Sequence, residues 1–207
     1  MIKSVLFDFD GVLTLDANGT QTICNYICST TRVDRSVFEH EYRKFNADLQ
    51  TGKVVHEEIW KRVCDAVGQH IDIKILNDSF DNTPINSYML KLAKEIKELG
   101  LKIGIVTDNK ADRIKSIVDF HNWHNVFDGI VVSAEVGSGK THPAIFHKIF
   151  SILSVNPNEC VFIDNTEKNL VVPKELGVTT IFFEHEKNDI SKLRNELYNL
   201  GIPNLAV

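Results

Sequence analysis

Short apolar runs alternate with amphipathic stretches along most of this chain. Five runs are apolar almost throughout: Ile2–Phe9, Leu101–Val106, Gly129–Val132, Cys160–Ile163 and Val178–Phe183. A strand covered on both faces needs that pattern, because neither row of its side chains meets water. Between the runs, apolar residues recur at helical spacing. Tyr88–Leu99 places Met89, Leu92, Ala93, Ile96 and Leu99 on one stripe, and Gly100 follows as a stop signal. Ala111–Phe120 groups Ile114, Ile117 and Val118, and Ile190–Leu200 groups Ile190, Leu193, Leu197 and Leu200. Pro143–Leu153 begins on a proline suited to a first turn and stripes Ile145, Phe146, Ile149, Phe150 and Leu153. Strands and helices alternating in this way predict an α/β protein with a three-layer, Rossmann-like parallel sheet core.

The stretch from Asp16 to Pro84 breaks the rhythm. It holds helical patterns around Thr22–Ser29, Ser36–Leu49, Glu57–Val67 and Ile73–Phe80, and no strand pattern. A small all-helical domain inserted after the first strand is therefore expected, with residues 1–15 and 85–207 forming the core and 16–84 the insertion. Composition agrees with one sizeable core plus a smaller unit: 207 residues, 43% hydrophobic and 25% charged. A formal charge of −5 argues against nucleic-acid or anionic-membrane partners, whose footprint would be basic. No apolar run is long enough for a membrane span, and the first residues lack the apolar stretch of a secretion signal. Cys24, Cys28, Cys64 and Cys160 show no paired zinc spacing, so a reduced, cytoplasmic setting is expected.

Open parallel sheets bind ligands at the carboxyl ends of their strands. The first strand ends in Asp8-Phe9-Asp10-Gly11, the second in Thr107-Asp108-Asn109-Lys110, and the fourth in Asp164-Asn165. The third leads into a glycine-bearing loop, Ala134–Thr141, that presents Lys140. Alone, each reads as a turn or a helix cap. Together they bring carboxylates, a hydroxyl and an ammonium to one sheet edge. Asp8 and Asp164 offer hard oxygen donors suited to Mg²⁺. Thr107 and Lys140 offer a donor and a positive charge to a phosphoryl group, and a spare carboxylate could move protons.

Those four segments, in that order, resemble the haloacid dehalogenase-like hydrolase superfamily, in its phosphatase branch with an inserted helical cap. The resemblance spans nearly the whole chain and rests on Phe7–Leu13, Ile105–Asn109, Lys140–Phe146 and Cys160–Leu170. It implies a Mg²⁺-dependent phosphomonoester hydrolase acting on a small phosphorylated metabolite, and a core strand order 5-4-1-2-3. It also implies roles. Asp8 would be the nucleophile and Asp10 the general acid–base. Thr107, Asp108 and Lys140 would hold the phosphoryl group. Asp8, the Asp10 main-chain carbonyl and Asp164 would hold the metal. Asn165 departs from the family's usual second aspartate, which lowers the charge near the metal by one. Pro173 falls inside an expected helix and requires a late start or a kink.

Other readings compete. A phosphomutase of the same superfamily carries the same four motifs. Ala134-Glu135-Val136-Gly137-Ser138-Gly139-Lys140-Thr141 fits a relaxed P-loop of an NTPase. A phospho-receiver module would share the acidic pair, threonine and lysine. His121 and His124 are spaced to share a metal but lack a third ligand nearby. The tight turn at Gly52-Lys53 is expected to face the catalytic cleft, with Lys53 selecting substrate.

Overall fold

The computed structural model describes residues 1–202 and Leu205. The chain begins with β1 (Ser4–Phe7) and passes into five helices: α1 (Gly19–Thr31), α2 (Arg35–Arg43), α3 (Asn46–Gln50), α4 (His56–Val67) and α5 (Ile73–Asp81). It returns through α6 (Ser87–Glu98), β2 (Lys102–Thr107), α7 (Ala111–Phe120), β3 (Gly129–Val132) and α8 (Ser133–Val136). Then follow α9 (Pro143–Leu153), β4 (Cys160–Asp164), α10 (Val171–Glu175), β5 (Thr179–Phe182) and α11 (Ile190–Asn199). All strand pairs are parallel, in the order β3-β2-β1-β4-β5, which is the expected order read from the opposite edge.

β1 sits at the centre with all four residues buried, as its unbroken apolar run requires. Its side chains alternate between two cores. Leu6 joins Val106, Phe146, Ile149 and Phe162 on the face covered by α9. Val5 and Phe7 join α6, α7 and α11 on the other face. That second core continues without a break into the helical insertion, through Ile23, Phe38, Trp60 and Phe80. Exit and return of the insertion lie side by side: Leu15 N donates to Pro84 O at 2.8 Å, and Thr14 bridges Ile85 in antiparallel fashion.

Two local differences from expectation have simple causes. β1 ends at Phe7 rather than Phe9, because the chain turns out of the sheet at the acidic pair. The expected long helix Ser36–Leu49 is two helices, α2 and α3, with Lys44 and Phe45 between them. Pro173 is accommodated by a late start: it is the third residue of α10, where a helix leaves the N–H without an acceptor in any case. Among the described residues no helix is long and apolar enough to cross a membrane. The four cysteines are free thiols.

Candidate active site

Asp8 stands one residue past β1, and its N–H continues the ladder to Ile163 O at 2.8 Å. The next five residues, Phe9–Leu13, make one wide turn closed by Thr14 N donating to Phe9 O at 3.1 Å. Gly11 enables that turn. Its φ is +77°, and a Cβ there would run into the side-chain amide of Asn165. The turn leaves Asp8 under the sheet edge and sends the Asp10 side chain sideways toward α7.

Asp8, Lys140 and Asp164 form one buried cluster. The Lys140 ammonium lies 2.7 Å from Asp8 Oδ1 and 2.6 Å from Asp164 Oδ2. Asp164 is braced further: its Oδ1 accepts from Thr166 N at 2.7 Å, and both of its oxygens lie 3.2 Å from Asn169 Nδ2. Burial pushes the Asp8 carboxyl well above the usual carboxylate range; Asp164 pushes it higher, and Lys140 offsets only part of this. Burial would pull Lys140 down, but the two carboxylates outweigh it and hold the ammonium protonated. Two carboxylates sharing one ammonium leave surplus negative charge in a dry place, which is the electrostatic setting a divalent cation relieves. The donor set suits Mg²⁺ in hardness. Among the described residues no three His, Cys, Asp or Glu side chains converge, so main-chain oxygen would have to complete the protein ligands.

Asp10 does not point at that cluster. Its carboxylate is forked onto Arg113, with Nη1 to Oδ2 at 2.8 Å and Nη2 to Oδ1 at 2.9 Å. Asn109 Nδ2 adds a third bond to Oδ2 at 2.7 Å. Burial raises the Asp10 carboxyl, yet the charge and hydrogen bonds of Arg113 outweigh it, and the group lies below its ordinary value. Gly19, at the start of α1, is pressed against the same fork: a Cβ there would collide with Arg113 Nη1.

Thr107 ends β2, 1% exposed, with its hydroxyl 3.3 Å from Asn109 Nδ2. Asp108 behaves differently from the expectation. Its carboxylate accepts from Lys140 N at 2.8 Å and packs over Gly139, so it holds the Lys140 loop. An occupied anion of that kind repels a phosphoryl group, and the Asp108 carbonyl is also taken, by Gln50 Nε2. The P-loop geometry does not form. The chain after β3 makes the short helix α8, α9 starts at Pro143, and the Lys140 ammonium is committed to two aspartates.

A cavity of about 270 Å³ joins these residues to the insertion, whose contribution includes Thr20, Arg43, Asn46 and Gln50. α3 is docked there by Gln50, whose Nε2 donates to Asp108 O at 3.0 Å and whose carbonyl accepts from Ser133 Oγ at 2.6 Å. A larger hollow of about 860 Å³ beside α4 gathers none of the motif residues. Gly52 does approach the core, with φ +69° and its backbone against the Ala134 carbonyl. Lys53, however, is turned to solvent, 71% exposed and paired with Asp48, so the sequence expectation for it fails. His121 stacks on Trp123 and His124 pairs with Asp119, which leaves them no shared ligand position. Sequence reading missed Arg113, Lys110 and the buried His56, which bridges Tyr42 Oη at 2.7 Å and Asp112 at 2.6 Å. The charge-dense run Lys110-Ala111-Asp112-Arg113, which starts three residues past Thr107 at the end of β2, was the available signal.

A five-stranded parallel sheet with a helical insertion after β1 and an acidic pair, threonine, lysine and aspartate at one edge defines a class, and residues 2–177 match its family model: the chain belongs to the haloacid dehalogenase-like hydrolases. It is 25% identical over 201 residues to a glyceraldehyde 3-phosphate phosphatase of Methanocaldococcus jannaschii, covering 87% of this chain and 84% of that one. A pyrophosphatase of Bacillus mycoides is 23% identical, covering 87% of this chain and 82% of its own. In fold, it is similar to a solved HAD family enzyme from Bacteroides thetaiotaomicron, with TM-score 0.73, 22% identity, and coverage of 93% of this chain and 98% of that one. A variant of that enzyme was solved with magnesium and inorganic phosphate.

Proposed function

We propose that this hydrolase is a Mg²⁺-dependent phosphomonoesterase that works through a phosphorylated Asp8. One observation carries the reading: Asp8 and Asp164 converge on Lys140 at the carboxyl edge of the sheet, beside the Thr107 hydroxyl and open to the cavity. The relatives named as phosphatases support it, as does the magnesium and phosphate bound by the structural neighbour's variant. In this reading residues 16–84 are a cap over a core formed by 1–15 and 85–207.

The chemistry then follows from the residues. An Asp8 carboxylate oxygen attacks phosphorus and the ester P–O bond breaks, while Asp10 gives the leaving oxygen its proton. Water next attacks the phosphorus of the aspartyl-phosphate, Asp10 takes the water's proton, and inorganic phosphate leaves with Asp8 regenerated. Lys140 and Thr107 hold the phosphoryl oxygens, and the Lys140 ammonium spreads the charge of nucleophile and phosphoryl group. Bound by Asp8, Asp164 and the Asp10 main-chain carbonyl, Mg²⁺ would supply the positive charge that lets two anions meet. The Arg113 fork favours the ionised Asp10, which suits the second step. For the first step Asp10 must carry the proton it took from water in the preceding turnover, or one taken up from solvent, and that demand is greatest with basic leaving groups.

The test is leaving-group dependence. Asp8→Asn should abolish phosphate release from nitrophenyl and alkyl phosphates alike. Asp10→Asn should suppress alkyl phosphates by about a hundred- to ten-thousandfold. With nitrophenyl phosphate it should give a burst near one per site and acid-stable label on Asp8. Turnover by Asp8→Asn at the wild-type rate would overturn the mechanism.

A further inference from the structure

Lys110 has a side chain that neither the fold nor the mechanism uses. It closes the loop after β2, three residues past Thr107, and its backbone caps α7. The residue is 2% exposed and borders the same cavity as Asp8 and Thr107. Among the described residues its ammonium makes no ion pair within salt-bridge distance and no hydrogen bond, although it lies 6.0 Å from the centre of the Tyr42 ring. The anions around it are taken: Asp10 by Arg113 and Asn109, and Asp112 by His56. Arg113, the other buried cation nearby, opposes its charge. Burial, reinforced by Arg113 and only partly offset by Asp10 and Asp112, lowers its pKa to about 8, so at neutral pH the ammonium still carries its proton. An ammonium held in a buried side chain, whose neighbouring carboxylates are already bonded to other groups, is under-compensated, a cost that an arriving anion would relieve.

We propose that Lys110 forms the floor of an anion subsite, so that the substrate is a small phosphomonoester bearing a second acidic group, carboxylate or phosphate, a few bonds from the phosphoryl group. This rests on the phosphatase reading above. The cavity walls agree with such a ligand. The insertion lines it with small and polar residues, among them Thr20, Asn46, Gln50 and an Arg43 that is half exposed and paired with Glu39; Lys168 of the core also borders it, and no aromatic or large aliphatic residue does. A nucleoside, aryl or lipid moiety finds no apolar surface there. The volume of about 270 Å³ equals roughly nine waters, room for a short polar chain between two anions.

Three matched compounds test this: n-propyl phosphate, 3-(phosphonooxy)propanoate and 1,3-propanediol bisphosphate. Wild-type enzyme should favour at least one of the two acid-tailed compounds over propyl phosphate in kcat/KM by about ten- to a hundredfold, the range of a charge-assisted hydrogen bond. Which compound gains identifies the acidic group as carboxylate or phosphate. In Lys110→Gln that ratio should fall to within about twofold, and Lys110→Arg should restore part of it. A wild-type ratio near one, or an unchanged ratio in Lys110→Gln, overturns the subsite. Calorimetric titration of the same compounds without Mg²⁺ reads the preference where no turnover occurs. If wild type hydrolyses none of the three, the phosphatase reading falls, while a Lys110-dependent binding preference would still uphold the subsite and its absence would refute it.

Discussion

Replacing Asp10 with asparagine removes one negative charge and almost no volume, yet it should weaken the fold. Arg113 has no exposed side-chain surface, and Asp10 is 13% exposed. Among the described residues their two bonds, at 2.8 and 2.9 Å, are the guanidinium's only counter-charge within salt-bridge distance. Asparagine offers one acceptor in place of two, and its amide nitrogen would face a donor. Arg113 Nε already lacks an acceptor, so the substitution strands a second N–H and leaves the cation buried alone. Removing one partner of a buried pair costs about 3–5 kcal/mol. The residual hydration of Asp10 places this case near the lower end, about 3 kcal/mol, a large part of the roughly 5–15 kcal/mol that holds a protein folded. Asp8→Asn is the matched control with the opposite sign, since it relieves the crowding of Asp8 against Asp164. Urea unfolding at neutral pH without metal should therefore rank Asp8→Asn at or above wild type and Asp10→Asn well below, with similar slopes. In the double variant Asp10→Asn/Arg113→Met the loss should be smaller than the sum of the single losses. Asp10→Asn within about 0.5 kcal/mol of wild type, or equal shifts for both asparagines, would refute the reasoning.

Other outcomes follow from the same geometry. Asp8 has a folded pKa above its unfolded one, so the stability it confers is complete below about pH 4 and is lost as pH rises through the folded value. The wild-type deficit relative to Asp8→Asn should accordingly widen toward neutrality and close in acid, read by urea midpoints at each pH. Mg²⁺ at about a hundred times its dissociation constant should stabilise wild type by about 2.7 kcal/mol and leave Asp8→Asn nearly unmoved in thermal melts. Gly52→Ala must place a side chain at φ +69° against the Ala134 carbonyl, which should lower the urea midpoint by an amount equal to about 1 kcal/mol or more. Burial pushes the Cys24 and Cys160 thiols up to about 12, so disulfide reagents should label half-exposed Cys28 first and reach those two only on unfolding.

The core was legible because its strands are buried on both faces and write themselves as unbroken apolar runs. The ends of those runs also located Asp8, Thr107 and Asp164, since a strand's last residues are fixed by its register. Lys140 was reachable only as part of a loop, but a lysine beside buried aspartates has few other fates. What the one-dimensional pattern hid was the direction of side chains after the strands stop. Asp10 and Arg113 are separated by 103 positions and meet only because Gly11 turns the chain. Arg113 sits between apolar positions of α7, where an arginine ordinarily reaches water. Asp108 read as a ligand for phosphate, and the loop it holds instead was invisible without the turn at Gly137 and Gly139. Lys53 failed for a similar reason, because a glycine's close approach tells where the backbone goes and nothing about its neighbour's side chain.

The continuous apolar interior that joins Phe7 and Phe9 of the core to Ile23, Phe38, Trp60 and Phe80 of the insertion limits how this protein can change over generations. A helical segment with its own closed interior could be exchanged between homologues like a spare part. Here an exchange of residues 16–84 would carry across one half of a shared interior and leave the other half facing strangers. New specificities are therefore reached most readily by single replacements at polar positions facing the cavity, such as Thr20 and Asn46, which lie outside that interior. Wholesale recombination would have to bring the matching wall of the sheet along with it.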